Sequence, residues 1–174
     1  MTQSAHNILI RTATVGDAAI IASYRAQMFR DMGTLADELF EPLAQATISY
    51  LQRTMPAGEY VGWLAYESHN PARIVGSVGV LIRQIPPFAT VDASGNRRIA
   101  GGKQGLVVNM YVDQSMRRRG VARAVMAEVL AWSSREKIDR LVLHASEEGK
   151  PLYAGMGFVM TNEMRYAPPV LHTS

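Results

Sequence analysis

The feature that most constrains the fold is an apolar strand that runs into a basic turn and then into an amphipathic helix. Gly105–Val112 reads GLVVNMYV, a run typical of a buried strand. The turn Asp113–Arg119 follows, and then a helix predicted for Gly120–Arg135. Apolar residues recur in this helix at helical spacing, namely at Val121, Val125, Val129 and Trp132. The next strand, Leu141–Ala145, completes a βαβ unit, so the two strands are expected to be parallel.

The chain ahead of this unit predicts a strand, two helices and a β-hairpin. Thr14 and Asp17 have the spacing of a helix-capping pair, and Gly33 is a natural helix end. The predicted elements are a strand at Ile8–Arg11, a helix between Thr14 and Gly33, a helix from about Asp37 to Thr54, and hairpin strands at Tyr60–Tyr66 and Ile74–Ile85.

Three more segments complete the predicted organisation. Phe88–Gln104 is polar and glycine-rich without any period, so it is expected to be a long surface loop. A short helix around Pro151–Met156 and a final strand at Phe158–Tyr166 close the chain. No repeat and no linker interrupts the sequence, and the 174 residues fit one domain, 1–174, of mixed α/β class.

Composition excludes several classes of protein and site. The chain is 48% hydrophobic, enough for a folded core, and it has no cysteine, so it forms no disulfide or zinc-thiolate site. The four histidines, His6, His69, His144 and His172, show no ligand spacing, so no metal is expected. No signal peptide and no apolar run of membrane-spanning length is visible, so we expect a cytoplasmic protein without a membrane partner.

The basic turn has the properties of an anion site. A helix start leaves backbone N–H groups without partners and carries partial positive charge. Gly120 lets an anion approach the main chain because it has no Cβ, and Ala122 gives similar clearance. The run Arg117–Arg119 adds charge. The alternative interpretation is that the three arginines lie in a solvated turn and that Gly120 is an ordinary turn residue. A Walker loop and a dinucleotide fingerprint are both absent.

Two motifs resemble those of the GNAT superfamily of N-acetyltransferases. Arg117-x-x-Gly120-x-Ala122 is similar to the R/Q-x-x-G-x-G/A signature, and Leu152-Tyr153 with Gly157-Phe158 is similar to its L-Y-x-x-x-G-F element. The resemblance implies a single-domain acyl-CoA N-acyltransferase fold, with a mixed central sheet that is splayed in the middle and flanked by about four helices.

The resemblance also implies acetyl-CoA as co-substrate, held between the two parallel strands, with no metal. The residues that it assigns to cofactor binding are Met110, Tyr111, Val112, Arg117, Arg118, Arg119, Gly120, Val121, Ala122, Arg123, Ser146 and Tyr153. Three positions depart from the family pattern. Gln114 stands where proline is frequent, Arg118 where glycine is frequent, and Ser146 where many members have asparagine.

Catalytic roles follow from the same resemblance. The N–H near Met110 is expected to stabilise the oxyanion of the thioester carbonyl, and Tyr153 to protonate the leaving thiolate. The alternative for Tyr153 is core packing. Candidates for the general base are Asp31, Glu38, Glu41 or a water molecule. The alternative interpretation of each carboxylate is that it is only an exposed charge on a helix. His144 is predicted to lie in the middle of a strand near the cofactor cleft, where a histidine suits proton transfer. The alternative is that His144 has only a structural role.

The leading functional hypothesis is acetyl transfer to a primary amine of an unidentified small molecule, peptide or protein. The alternative from another class is a non-catalytic acyl-CoA-binding sensor on the same fold. A third hypothesis is a small nucleic-acid binder that uses Arg97-Arg98 and the run Arg117–Arg119. It is disfavoured, because the sequence has neither a recognition-helix signature nor the aromatic pattern that stacks on bases. The acceptor is left open, and so is the choice between a monomer and a homodimer that pairs through Phe158–Tyr166.

Overall fold

The computed structural model describes residues 8–91, 94–161 and 163–164. Contacts divide the chain into two compact units, 1–144 and 145–174. The helices are α1 (Ala18–Asp31), α2 (Phe40–Thr54), α3 (Val121–Arg135) and α4 (Lys150–Ala154). The strands are β1 (Ile8–Thr12), β2 (Tyr60–Glu67), β3 (Asn70–Gln84), β4 (Phe88–Val91), β5 (Arg97–Ala100), β6 (Lys103–Val112) and β7 (Arg140–Leu143).

The first unit is built on a mixed five-stranded sheet in the order β1-β2-β3-β6-β7. All neighbouring pairs are antiparallel except β6 and β7, which are parallel. The parallel pair is joined through α3, as the βαβ pattern predicts. The predicted hairpin is confirmed as β2 and β3, and the predicted mixed α/β class is confirmed with it.

Helices cover both faces of this sheet. Leu64 of β2 is fully buried in a cluster with Ile21 of α1 and Leu51 of α2. The preceding residue, Trp63, points to the opposite face of the sheet, since successive side chains of a strand alternate. Its ring packs edge-on against Trp132 of α3, with 5.3 Å between the centroids. The predicted apolar stripe of α3 is therefore the side that covers the second face.

The start and end of α1 follow the predicted capping signals. The Thr14 N–H donates to Asp17 Oδ2 at 2.8 Å, and the Thr14 hydroxyl donates to the same oxygen at 3.0 Å. The Arg11 guanidinium binds the Asp17 carboxylate at 2.7 and 2.8 Å. This hydrogen bond is the main reason that the pKa of Asp17 falls to about 2. At the other end Gly33 adopts a φ of +70°, which ends the helix.

The prediction of a long loop at Phe88–Gln104 is wrong. Strands β4 and β5 pair as a separate antiparallel hairpin, with Phe88 opposite Ala100, and β6 already begins at Lys103. Contacts with residues distant in sequence hold the hairpin: the Arg140 guanidinium lies 3.8 Å from the centre of the Phe88 ring, and Arg98 pairs with Asp139 at 3.6 Å. Such contacts leave no periodic signal in a short, polar segment.

Two expectations about the last third of the chain need correction. The strand predicted for Leu141–Ala145 ends at Leu143, so His144 follows the strand instead of lying within it. The final strand predicted for Phe158–Tyr166 is not formed at residues 158–161, 163 and 164, and its other positions lie outside the described residues. A strand needs a partner for its backbone groups, and no strand occurs among the described residues of the second unit.

The second unit contains α4, close to the helix predicted around Pro151–Met156. Phe158 packs edge-on against Tyr153, with 5.9 Å between the ring centroids. No helix in the described part of the chain is long and apolar enough to cross a membrane.

Candidate functional site

One edge of β6 is open beyond its contact with β7. The parallel pairing covers only Gln104–Val107, whereas β6 runs on to Val112. The Asp113 N–H donates to the Val75 carbonyl of β3 at 3.0 Å. Because backbone groups of successive strand residues point to opposite sides, those of Val112 and Met110 point away from β3. They lie on the edge of β6 that no strand among the described residues covers, because β7 ends at Leu143.

A β-bulge at Asn109 lies just before this open edge. Asn109 has a φ of +56°, and the register between β3 and β6 shifts between Ser77 and Gly79. Its side-chain oxygen accepts from Arg25 Nη1 at 2.6 Å, and its amide donates to the Tyr60 hydroxyl at 3.1 Å. Ser77 Oγ donates to its carbonyl oxygen at 3.1 Å. These bonds hold the bulge and thereby orient the main chain that follows it.

The turn after β6 presents the start of α3 without a side-chain cap. Gly120 is the N-cap with a φ of +83°, and the first helical hydrogen bond runs from the Ala124 N–H to the Gly120 carbonyl at 3.0 Å. The N–H groups of the three intervening residues therefore have no partner within the helix. A Cβ built on Gly120 would meet no protein atom within 4 Å, so space for a ligand adjoins this helix end.

The basic residues of the turn do not act alike. Arg117, Arg118 and Arg119 of the turn and Arg123 in the first turn of α3 are all exposed. Arg117 also pairs with Asp31 at the end of α1, and its Nε donates to the Val112 carbonyl at 3.2 Å. The guanidinium that the sequence assigns to a phosphate is thus held by a protein carboxylate. Val121 is buried, and Ala122 is half-buried.

Asp31 is the most strongly bonded of the three candidate bases. Burial acts to raise its pKa, but hydrogen bonds from Gln27, Arg117 and Gln114 hold the pKa below its usual value. The Tyr111 hydroxyl also donates to Asp31, at 3.4 Å. A carboxylate with a lowered pKa is a weaker base, so this arrangement disfavours Asp31 as the proton acceptor.

The other candidate residues of this unit have different surroundings. Glu41 accepts from Gln45 Nε2 at 2.7 Å, and Glu38 is exposed in a turn before α2. The Tyr111 ring packs against Tyr24 at 4.9 Å, and its backbone faces β3 opposite Ser77. Burial is the main reason that the pKa of Tyr111 is raised.

In the second unit, Ser146 and Tyr153 lie at the two ends of a short helical segment. Ser146 Oγ accepts from the Gly149 N–H at 3.2 Å, so this serine caps the turn that begins α4. Tyr153 is half-buried against Phe158, and burial raises the pKa of its hydroxyl. The phenol therefore stays protonated at neutral pH.

A cavity of about 380 Å³ opens between α1, α2 and the sheet, and it reaches the bulge at Asn109. Arg25 lies in its wall. Sequence analysis missed Arg25 and Asn109, although the sequence contains an indication of each. Arg25 follows Ile21 and Ala22 at helical spacing, so a charge interrupts the buried stripe of α1. Asn109 is the amide in the otherwise apolar run Gly105–Val112 of β6.

Comparison with known proteins agrees with this arrangement. A profile of the acetyltransferase (GNAT) domain matches residues 33–174, which include the open edge, the turn before α3 and both motifs. The chain belongs to the GNAT acetyltransferase family. The predicted resemblance is therefore confirmed, and acyl transfer is the general chemistry of this GNAT protein. A comparison with curated proteins finds no match.

Solved structures share the fold of this GNAT protein. A GCN5-related N-acetyltransferase from Ralstonia eutropha JMP134 is 28% identical, with a TM-score of 0.77 over 92% of this chain and 98% of that one. A predicted acetyltransferase from Clostridium acetobutylicum, solved with acetyl-CoA, is 21% identical, with a TM-score of 0.74 over 96% and 99%. Glucosamine-6-phosphate N-acetyltransferase from Arabidopsis thaliana is 16% identical, with a TM-score of 0.59 over 94% and 98%.

Proposed function

We propose that this GNAT protein transfers the acetyl group of acetyl-CoA directly to a primary amine. The observation that carries the proposal is the continuity of two open backbone surfaces. The uncovered edge of β6 at Met110 and Val112 leads through a single turn to the uncapped start of α3 at Gly120. An extended arm can pair with the first surface as an added strand, and an anion can bind the second.

The residues present fit acetyl-CoA. The N–H groups of Val121–Arg123, which have no partner within the helix, suit the pyrophosphate, and Gly120 leaves the space that its approach requires. Arg118, Arg119 and Arg123 supply exposed positive charge, and Arg117 can join them by releasing Asp31. The bound cofactor supplies the acetyl group as an activated thioester.

Two residues are assigned to the reaction itself. The Met110 N–H, oriented by the bulge at Asn109, donates to the thioester oxygen as negative charge develops there; one such donor typically contributes ~10²–10³ in rate. Tyr153 protonates the leaving sulfur, a role that rests on its place in the Leu152–Phe158 motif. Burial raises the pKa of its hydroxyl, so the proton to be donated is present at neutral pH. Water, Glu38 or Glu41 is favoured over Asp31 as the base. The family match spans parts of both compact units, which supports a single transferase domain over 1–174.

The proposal is tested by thermal melting with and without acetyl-CoA. At about a hundredfold excess over its Kd, a ligand stabilises the folded protein by ~2.7 kcal/mol, or roughly 5–10 °C for a chain of this size. Gly120→Glu should abolish the shift. Gly58→Glu is the matched control, because Gly58 also has a positive φ with no atom within 4 Å of its Cβ position. No shift at millimolar acetyl-CoA would overturn the proposal.

Release of coenzyme A in the presence of a panel of amines separates the enzyme from the alternative sensor. Amine-dependent release supports acetyl transfer. A clear melting shift without release for any amine would instead favour the acyl-CoA-binding sensor.

A further inference from the structure

The cavity beside the bulge combines apolar walls with one guanidinium. Leu43 and Ala46 of α2, together with Leu81 and Val108 of the sheet, line it, and its volume is about 380 Å³. This volume lies in the range typical of pockets for small molecules. Arg25 is half-buried in the wall, and its Nη1 donates to Asn109 Oδ1 at 2.6 Å.

Arg25 is half-buried, whereas every other arginine among the described residues is exposed. Several of those exposed arginines pair with a carboxylate, namely Arg11, Arg30, Arg53, Arg73, Arg98 and Arg117. In the described part of the chain, no carboxylate lies within ion-pair distance of Arg25. Its contacts are the neutral amide of Asn109 and the face of the Phe29 ring, 4.9 Å from the ring centre. Burial lowers its pKa, as expected for a charge that lacks a counter-ion.

We propose that Arg25 binds a carboxylate of the acceptor, so that the acceptor is a small amine with a carboxylate and an apolar body, of amino-acid size. The inference rests on the proposed function, because it names the class of amine that the same site acetylates. A guanidinium has five N–H donors in a planar fork, and a carboxylate accepts two of them side by side. A buried charge is costly without such a partner.

The location of the cavity agrees with this class of acceptor. Asn109 forms part of its wall and immediately precedes Met110, whose N–H is assigned to the thioester oxygen. A carboxylate on Arg25 would therefore hold the acceptor beside the open edge of β6. A simple alkylamine would bring a second positive charge next to Arg25 and leave the guanidinium without a counter-ion. The site discriminates against it on both grounds.

The test is calorimetric binding in the presence of coenzyme A, which carries no acyl group, so that nothing reacts. The probes are leucine, methionine and phenylalanine, each compared with its primary amide, and the phosphonate analogue of leucine. A charge-assisted bidentate pair should make at least one acid bind about tenfold or more tightly than its amide. Equal affinities within every pair would overturn the inference, and so would tenfold tighter binding of the phosphonate than of leucine.

Two variants and a control locate the effect at Arg25. Arg25→Met should reduce the acid-to-amide ratio to about one. Asn109→Asp keeps the size of the side chain and supplies a protein carboxylate next to Arg25, so it should reduce the ratio as well, even if Arg25→Met fails to fold. Arg30→Met is the matched control on the same helix, since Arg30 pairs with Asp37, and it should leave the ratio unchanged.

The two proposals fail in distinguishable ways. The melting shift with acetyl-CoA tests the proposed function and does not depend on Arg25. An intact shift together with an acid-to-amide ratio of one overturns only the inference about the acceptor. A ratio that persists in Arg25→Met and Asn109→Asp overturns it too, because the carboxylate is then bound elsewhere.

Discussion

Arg117 and Asp31 form an ion pair that joins the turn before α3 to the end of α1, although 86 residues separate them in the sequence. The Arg117 guanidinium also lies over the Tyr111 ring, 5.6 Å from its centre, and its Nε binds the Val112 carbonyl. The pair therefore connects the helices on one face of the sheet to the proposed pyrophosphate site. A phosphate bound to Arg117 would compete with Asp31 for the same guanidinium charge, and we propose that Arg117 exchanges one anionic partner for the other.

This exchange predicts that Asp31→Asn binds acetyl-CoA more tightly than the wild type. A surface ion pair typically contributes up to ~1 kcal/mol, so releasing Arg117 should lower the Kd by about threefold to fivefold. Isothermal titration calorimetry with acetyl-CoA measures the change. Arg117→Gln should weaken binding.

Asp37→Asn is the control for this prediction, because it removes a carboxylate that pairs with Arg30 away from the turn. Its Kd should match that of the wild type. If Asp31→Asn binds acetyl-CoA no more tightly than Asp37→Asn, the ion pair does not compete with the cofactor.

The bulge at Asn109 predicts a measurable difference between two substitutions. Asn109→Ala leaves Arg25 and the Tyr60 hydroxyl without their partner, which should cost about 2–4 kcal/mol in the free energy of unfolding. Asn109→Gly loses the same bonds but accepts the positive φ without strain, so it should cost about 1 kcal/mol less. Urea denaturation compares the two variants, and a glycine variant less stable than the alanine variant would contradict this account.

The capping carboxylate of Asp17 predicts a pH-dependent contribution to stability. Its pKa is about 2 in the folded protein and ~3.9 in an unfolded chain. A lowered pKa means that the contribution is present above about pH 4 and is lost as the pH falls toward 2. Asp17→Asn should therefore reduce the free energy of unfolding by about 1 kcal/mol at pH 7, and the difference should shrink below pH 4.

Denaturant titrations of both proteins between pH 7 and pH 3 provide the measurement for Asp17. Asp37→Asn serves again as the control, because the Asp37 side chain is 87% exposed. Its effect should stay within about 0.5 kcal/mol. A difference between wild type and Asp17→Asn that is constant down to pH 3 would rule out titration of the cap as its source.

Tyr153→Phe tests the proposed proton donor. Loss of the hydroxyl should lower kcat about tenfold or more, while the Kd of acetyl-CoA stays unchanged. Steady-state kinetics and calorimetry together separate the two effects. Tyr66→Phe on β2 removes a hydroxyl from a residue that is not assigned to the site, and its kcat should not change. An unaltered kcat in Tyr153→Phe would remove this residue from the mechanism.

Much of the fold was predictable because its signals are local. The stripe of α3, the capping pair at the start of α1 and the β2–β3 hairpin are each set by residues within one element or one turn. The β4–β5 hairpin was not predictable from the same signals, because Phe88 and Arg98 are held by Arg140 and Asp139. The strand predicted to begin at Phe158 is the opposite case, because local composition predicted a strand that the described residues do not form. A strand-like composition gives no strand without a partner strand.

The sequence alone determined the family and predicted where a cofactor would bind. In the proposed cofactor site Gly120 acts through backbone geometry, which is encoded within a few residues. Only the tertiary structure decided which charges meet. It paired Arg117 with Asp31, and it placed Arg25 in the wall of a largely apolar cavity against Asn109, with no carboxylate of the described residues in ion-pair distance. Electrostatic interactions depend on distance and burial in three dimensions, so residues that are far apart in the sequence set them.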